Sequence, residues 1–172
     1  VLQTNLPPGA VNIVACANTV AEQMVTDSRF RLLSFTGSAA VGWMLKSKCG
    51  KKKVVLELGG NAGVIVEPDA DLDFAAQRCV TGGYTYSGQT CISVQRVYVH
   101  VAVYDTFLEK LLSNVRALKS GDPSDQDTVV GPVIDQGAAL RIEAWTREAV
   151  AQGACVKMGG ARSGALLEPT VL

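Results

Sequence analysis

Apolar and polar positions along this chain follow two periods, about 3.6 and 2 residues, and the switches between them predict an alternation of helices and strands. Residues 11–14 read as a short strand, and 19–26 as a helix carrying Val20, Met24 and Val25 on one side. Residues 31–35 form a second predicted strand, broken by Thr36-Gly37-Ser38. A helix over 39–48 then leads through Gly50 and three lysines into the strand 54–58. Strand, helix, strand, helix, strand implies parallel pairing.

Beyond Gly59-Gly60 a strand is predicted at 63–66, with Asp71 as N-cap of a helix in which Leu72, Ala75, Ala76, Cys79 and Val80 recur at helical spacing. Gly82-Gly83 is expected to weaken that helix. Residues 94–100 alternate as a half-buried strand, with Val97 and Val99 on one face. A helix over 103–118 follows, with Phe107, Leu108, Leu111, Leu112 and Val115 as its core stripe. After a polar loop at 124–132, a helix is predicted over 136–152, then strands at 155–158 and 168–172 around a Gly-rich turn. The domain boundary is placed at Gly59-Gly60, giving 1–58 and 59–172.

With 16 basic and 16 acidic residues the formal net charge is zero, which favours neither nucleic acid nor an anionic membrane as partner. Apolar residues make up 48% of the chain, yet charged or amide residues interrupt every run well before the roughly 20 needed for a bilayer span. Five cysteines without Cys-x-x-Cys spacing and one histidine argue against a disulfide framework and a zinc site. Free thiols imply a reducing compartment, and the expected setting is a cytoplasmic one. The chain lacks a starting methionine and ends on what reads as the beginning of a strand, so a fragment is expected.

Three segments can carry chemistry. Residues 35–42 place a turn between strand and helix, where Ser38 can cap the helix and free N–H groups can meet a phosphate; an ordinary glycine turn is the alternative. Glu57 sits among Val54, Val55, Leu56 and Leu58 near a strand's carboxyl end. Buried there, it would have a raised pKa suited to a general base; as an edge-strand residue it would simply reach solvent. Cys91 lies in a turn after Gly88, where a thiol can be reactive rather than inert core, the reading given to Cys16, Cys49, Cys79 and Cys155. His100 ends a strand leading away from that turn and is not read as its base. Tyr84 and Tyr86 are read as pocket lining or core.

Phe-Thr-Gly-Ser at 35–38, Leu-Glu-Leu-Gly-Gly-Asn at 56–61 and Gly-Gln-Thr-Cys at 88–91 together resemble the NAD(P)-dependent aldehyde dehydrogenase superfamily in order and separation. Leu6-Pro7-Pro8-Gly9, Gly121-Asp122-Pro123, Gly131-Pro132-Val133-Ile134 and Glu168-Pro169-Thr170 extend the likeness along essentially the whole chain. The resemblance implies an α/β fold: part of a Rossmann-type parallel sheet, then part of the α/β catalytic domain. It also implies Cys91 as nucleophile and Glu57 as general base. Gly37, Ser38, Val41, Gly42, Leu58 and Gly59 would meet NAD or NADP, and Thr90 and Ile92, neither charged, would flank the nucleophile where the family touches its substrate, here a small-molecule aldehyde. A homo-oligomer is expected.

The chain departs from the family pattern in two places: Ala15-Cys16-Ala17-Asn18 replaces its glycine-rich turn, and Gly63 its proline. The family's oxyanion-hole asparagine and ribose-binding lysine lie upstream, and its second cofactor glutamate downstream. The fragment alone is therefore expected to be poorly active. Two other classes stay open: a cysteine-dependent esterase or acyltransferase, and a non-catalytic nucleotide-binding or assembly fragment.

Overall fold

The structure, a computed structural model, describes residues 5–172. It divides into two compact units, one ending at Leu58 and the other beginning at Gly59.

In the first unit, helix α1 (Asn18–Thr26) precedes strand β1 (Leu32–Gly37), helix α2 (Ala39–Lys48) and strand β2 (Lys53–Leu58). The two strands pair in parallel, with Thr36 opposite Glu57 and Gly37 opposite Leu58. Strand β1 therefore runs through the Thr36-Gly37 break expected from sequence, because those residues keep their ladder partners. Residues 11–14 form no strand. Ile13 is 91% exposed, and among the described residues this apolar run has no neighbouring strand to pair with. Helices α1 and α2 are joined by an ion pair between Glu22 and Lys48.

The second unit opens with a parallel pair, β3 (Ala62–Val66) and β4 (Val94–Val99), connected through helix α3 (Leu72–Tyr84). Asp71 caps α3 by accepting from the Phe74 N–H at 3.1 Å. Helix α4 (Tyr104–Arg116) packs on α3, and Val66, Ala76, Cys79 and Phe107 form the core between them. Helix α5 (Gln136–Ala151) builds a second core from Val133, Ala138 and Ala139.

Helix α3 continues through Gly82-Gly83 rather than weakening there. A Cβ on Gly82 would come within 2.8 Å of the Val94 side chain, and one on Gly83 within 3.2 Å of the Val94 carbonyl. Those glycines let the helix lie close on β4. Near the end of the chain the expected strands are mostly absent: Met158 and Val171 form a single bridge, while a short antiparallel pair, β5 (Arg162–Ser163) and β6 (Leu166–Leu167), occupies the Gly-rich turn. No helix among the described residues is long and apolar enough to cross a membrane.

Candidate active site

In the second unit, the path from α3 to β4 holds the candidate nucleophile. Helix α3 ends at Tyr84 and the short turn Thr85–Gly88 follows, in which Tyr86, Ser87 and Gly88 take φ angles of 52°, 57° and 71°. Two residues with a Cβ in this left-handed region cost roughly 1–2 kcal/mol each, so tertiary contacts must hold them. Ser87 Oγ donates to the Gly131 carbonyl at 2.7 Å, and Gln89 Oε1 accepts from the Ile134 N–H at 3.0 Å.

Next, the Ser93 N–H donates to the Thr90 carbonyl at 3.2 Å, closing a turn over Thr90, Cys91, Ile92 and Ser93. That bond leaves the N–H groups of Cys91 and Ile92, the two central residues, available to a ligand. Cys91 is free and exposed, as is Ile92. Ser93 is buried and its Oγ donates to the Gly83 carbonyl at 3.3 Å, fixing the far end of the turn to α3. A Cβ on Gly60 would fall 2.6 Å from the Cys91 carbonyl oxygen, so only glycine lets the chain pass that close. The carbonyls of Gly60 and Asn61 also accept from the side chains of Gln95 and Arg96, at 3.1 and 3.0 Å. The Gly-Gly-Asn segment and the cysteine turn thus brace one another.

The remaining cysteines divide. Cys49 and Cys79 are buried, and burial pushes the Cys79 thiol up; Cys16 and Cys155 are exposed, contrary to their core reading. His100 directly follows β4, and its Nδ1 accepts from the Ala102 N–H at 3.2 Å, a local cap. Tyr84 lines a cavity of about 170 Å³ with Ser87, Gly131, Glu143 and Thr170. Its hydroxyl donates to the Thr170 carbonyl at 2.8 Å, and burial pushes the phenol up to about 12. Tyr86 is 75% exposed.

In the first unit, Glu57 lies on the exposed face of β2 beside Val55, while Val54, Leu56 and Leu58 are half-buried. The burial expected of it is absent because β2 alternates and covers only one face. Ser38 caps α2, its Oγ accepting from the Val41 N–H at 3.4 Å, and no acidic residue occupies the first turn of that helix. Gly42 is buried against Leu58, 2.5 Å from where its Cβ would stand, so α2 sits close on the end of β2. A cavity of about 680 Å³ lies along α1, β1 and α2, with Val25, Phe35, Val41 and Met44 in its wall.

Sequence reasoning identified Cys91 and its turn but missed Gly60, Ser87, Gln89 and Ser93 as its supports. Gly60 and Gln89 lie inside two of the quoted motifs, whereas Ser87 and Ser93 fall just outside them. The partner of Gln89 is 45 positions away and is a backbone group, which no side-chain pattern reveals.

The sequence matches the aldehyde dehydrogenase family over residues 1–172. Among curated proteins it is 40% identical to a 3-sulfolactaldehyde dehydrogenase from Priestia aryabhattai, over 99% of this chain and 36% of that protein. It is equally 40% identical to the NADP-dependent succinate-semialdehyde dehydrogenase of Escherichia coli, over 99% of this chain and 37% of that one. The chain thus spans little more than a third of the length of these relatives.

Among solved structures, an NAD-dependent benzaldehyde dehydrogenase from Corynebacterium glutamicum superposes with a TM-score of 0.90 at 38% identity, covering 96% of this chain and 36% of that one. Aldehyde dehydrogenase 21 from Physcomitrella patens, solved with the reaction product succinate, gives 0.84 at 48% identity over 90% of this chain and 32% of its own.

Proposed function

The chain belongs to the aldehyde dehydrogenase family, and from that premise we propose that it is the central part of an enzyme that oxidises an aldehyde to a carboxylic acid with NAD or NADP. Residues 1–58 are assigned to the dinucleotide-binding domain and 59–172 to the catalytic domain. The observation that carries this reading is Cys91, an exposed free thiol on a braced turn, within a sequence that matches the family throughout.

The first unit fits the adenosine and pyrophosphate portion of a dinucleotide. The Ser38-capped start of α2 offers backbone N–H groups and the positive end of its dipole, with no acidic side chain in the first turn to oppose a phosphate. The cavity beside Val41 has space and apolar walls for an adenine. Gly37, Ser38, Val41 and Gly42 would hold that portion, and Leu58 and Gly59 would lie by the nicotinamide. When bound, the nicotinamide supplies the hydride acceptor.

The Cys91 thiolate adds to the aldehyde carbon, forming a C–S bond and a thiohemiacetal oxyanion. The Cys91 N–H donates to that oxygen, a contact whose loss typically costs about 3–4 kcal/mol. Collapse of the oxyanion, with loss of hydride from carbon, leaves a thioester on Cys91. Glu57 takes a proton from the water that attacks the thioester, releasing the carboxylic acid and restoring the thiol. Thr90 and Ile92 flank the reacting carbon, and neither carries a charge to capture a substrate carboxylate or phosphate.

The full-length protein, assayed with a panel of aldehydes and each dinucleotide, is expected to reduce one dinucleotide per acid formed, and Cys91→Ala is expected to abolish this. Ester cleavage without any aldehyde-dependent reduction would replace this reading with a thiol esterase.

A further inference from the structure

We propose that Gln89 and Ser87 are positioning residues that clamp the Cys91 turn to residues 131–134, and that this clamp sets the angle from which the thiol meets a carbonyl. The second half of the proposal rests on the nucleophile role given to Cys91 above; the first half stands on the geometry alone.

The backbone before the cysteine is sprung. Tyr86 and Ser87 both hold positive φ values, of 52° and 57°, and no glycine relieves either. A segment of this kind returns to ordinary angles unless something outside it supplies the restraint. A local bond from the Gln89 N–H to the Tyr86 carbonyl at 3.1 Å closes the segment, and the polar restraint from outside it comes from residues 131–134. Ser87 Oγ donates to the Gly131 carbonyl at 2.7 Å. Gln89 uses both ends of its amide: Oε1 accepts from the Ile134 N–H at 3.0 Å, and Nε2 donates to the Tyr86 carbonyl at 3.3 Å. Only one orientation of the amide satisfies a donor at one end and an acceptor at the other. Glutamate offers no donor, and methionine offers no donor and only a weakly accepting sulfur.

Residues 131–134 can serve as the fixed half of the clamp because they are themselves anchored. The Val133 N–H donates to the Ala165 carbonyl at 2.9 Å, and the Val133 side chain is buried with Ala138 and Ala139 of α5. Asp135, directly after the segment, caps α5 by accepting from the Ala138 N–H at 2.6 Å. The restraint thus runs from the α5 core through Ile134 to Gln89, two positions from the sulfur. The Gly-Pro-Val-Ile motif therefore has a physical role as the platform on which the nucleophile turn is set.

The test uses the full-length protein and the variants Gln89→Met, Gln89→Glu and Ser87→Ala. Amide hydrogen exchange reads the clamp directly. In Gln89→Met, exchange at Ile134 is expected to rise about fivefold or more, the usual effect of losing one hydrogen bond. In Ser87→Ala, exchange is expected to rise in the peptide spanning 85–93. Kinetics read the consequence: kcat is expected to fall about 10- to 100-fold with KM little changed, since a misplaced nucleophile loses reactive geometry rather than binding. Alkylation of Cys91 by iodoacetamide, which needs no fixed approach, is expected to stay within about threefold of wild type.

Gln89→Glu, which keeps the acceptor for Ile134, is expected to protect Ile134 where methionine does not, and it serves if the methionine variant fails to fold. Unchanged exchange at Ile134 in Gln89→Met would overturn the clamp, and raised exchange with an unchanged kcat would overturn its role in setting the thiol's approach. A wild-type protein that oxidises no aldehyde would instead remove the enzymatic reading, leaving the exchange result to decide whether the clamp exists.

Discussion

Gly59 and Gly60 are neighbours of identical composition, yet their surroundings set different tolerances. A Cβ on Gly60 would stand 2.6 Å from the Cys91 carbonyl, whereas one on Gly59 would meet nothing within 4 Å. Gly60→Ala is therefore expected to destabilise the protein by about 1–3 kcal/mol, the usual cost of forcing atoms into a filled space. Gly59→Ala is expected to cost less than about 1 kcal/mol, and urea denaturation of the two variants checks the contrast. Tyr84 makes a different prediction at this scale, through pH. Its folded pKa is pushed from 10.0 up to about 12 by burial. Between those values the unfolded phenol has ionised while the folded one keeps its proton, so the folded state binds more protons and stability falls as pH rises through that window. The loss is on the order of 2 kcal/mol and levels off above the folded pKa. Tyr84→Phe is expected to remove this part of the pH dependence, so the stability gap between variant and wild type narrows on the alkaline side. A gap that stays constant from about pH 9 to about pH 12 would contradict the assignment.

Among the elements, those with a buried stripe were legible in the sequence. Of the predicted α4 stripe, Phe107 and Val115 are buried and Leu108, Leu111 and Leu112 half-buried, and Asp71 caps α3 as predicted. What misled was local pattern without its partner. Residues 11–14 look like a strand but have no strand beside them among the described residues, and Gly82-Gly83 looks like a weak point of the helix but serves contact with Val94. Glu57 sits among four apolar residues, which fits burial as well as an edge position, and the strand alternates so that it lies on the exposed face with Val55. The cysteine turn was legible as a motif, but its supports were not, since Ser87 and Gln89 bond to backbone groups far along the chain. A cap tests the element scale. The Ser38 hydroxyl accepts from Val41 at 3.4 Å, a long and exposed bond. Ser38→Ala is expected to cost only about 0.5–1 kcal/mol of stability while weakening dinucleotide binding in the full-length protein. Calorimetric titration with NAD and NADP measures the second effect, and unchanged affinity for both would remove Ser38 from the proposed cofactor residues.

On the scale of the whole molecule, each unit carries apolar surface that its own residues leave uncovered. Leu32, Trp43 and Val55 in the first unit are 52%, 57% and 46% exposed, and Ile65 and Tyr98 in the second are 72% and 55% exposed. Among the described residues the two parallel pairs also present unpaired strand edges, and edges with apolar faces recruit further chain. The 172-residue chain by itself is therefore expected to associate, its sedimentation coefficient rising with concentration; a concentration-independent monomer would contradict this. Because the chain spans about 36% of the length of a relative such as the sulfolactaldehyde dehydrogenase, the division of labour between Cys91 and Glu57 is a property to test in the full-length protein. The decisive measurement is a rapid-mixing experiment on Glu57→Gln with an aldehyde and its preferred dinucleotide. The two-stage mechanism predicts a burst of about one reduced dinucleotide per site followed by a stall, with a thioester on Cys91 detectable by mass spectrometry. Sustained turnover at the wild-type rate, with no acyl group on Cys91, would contradict it.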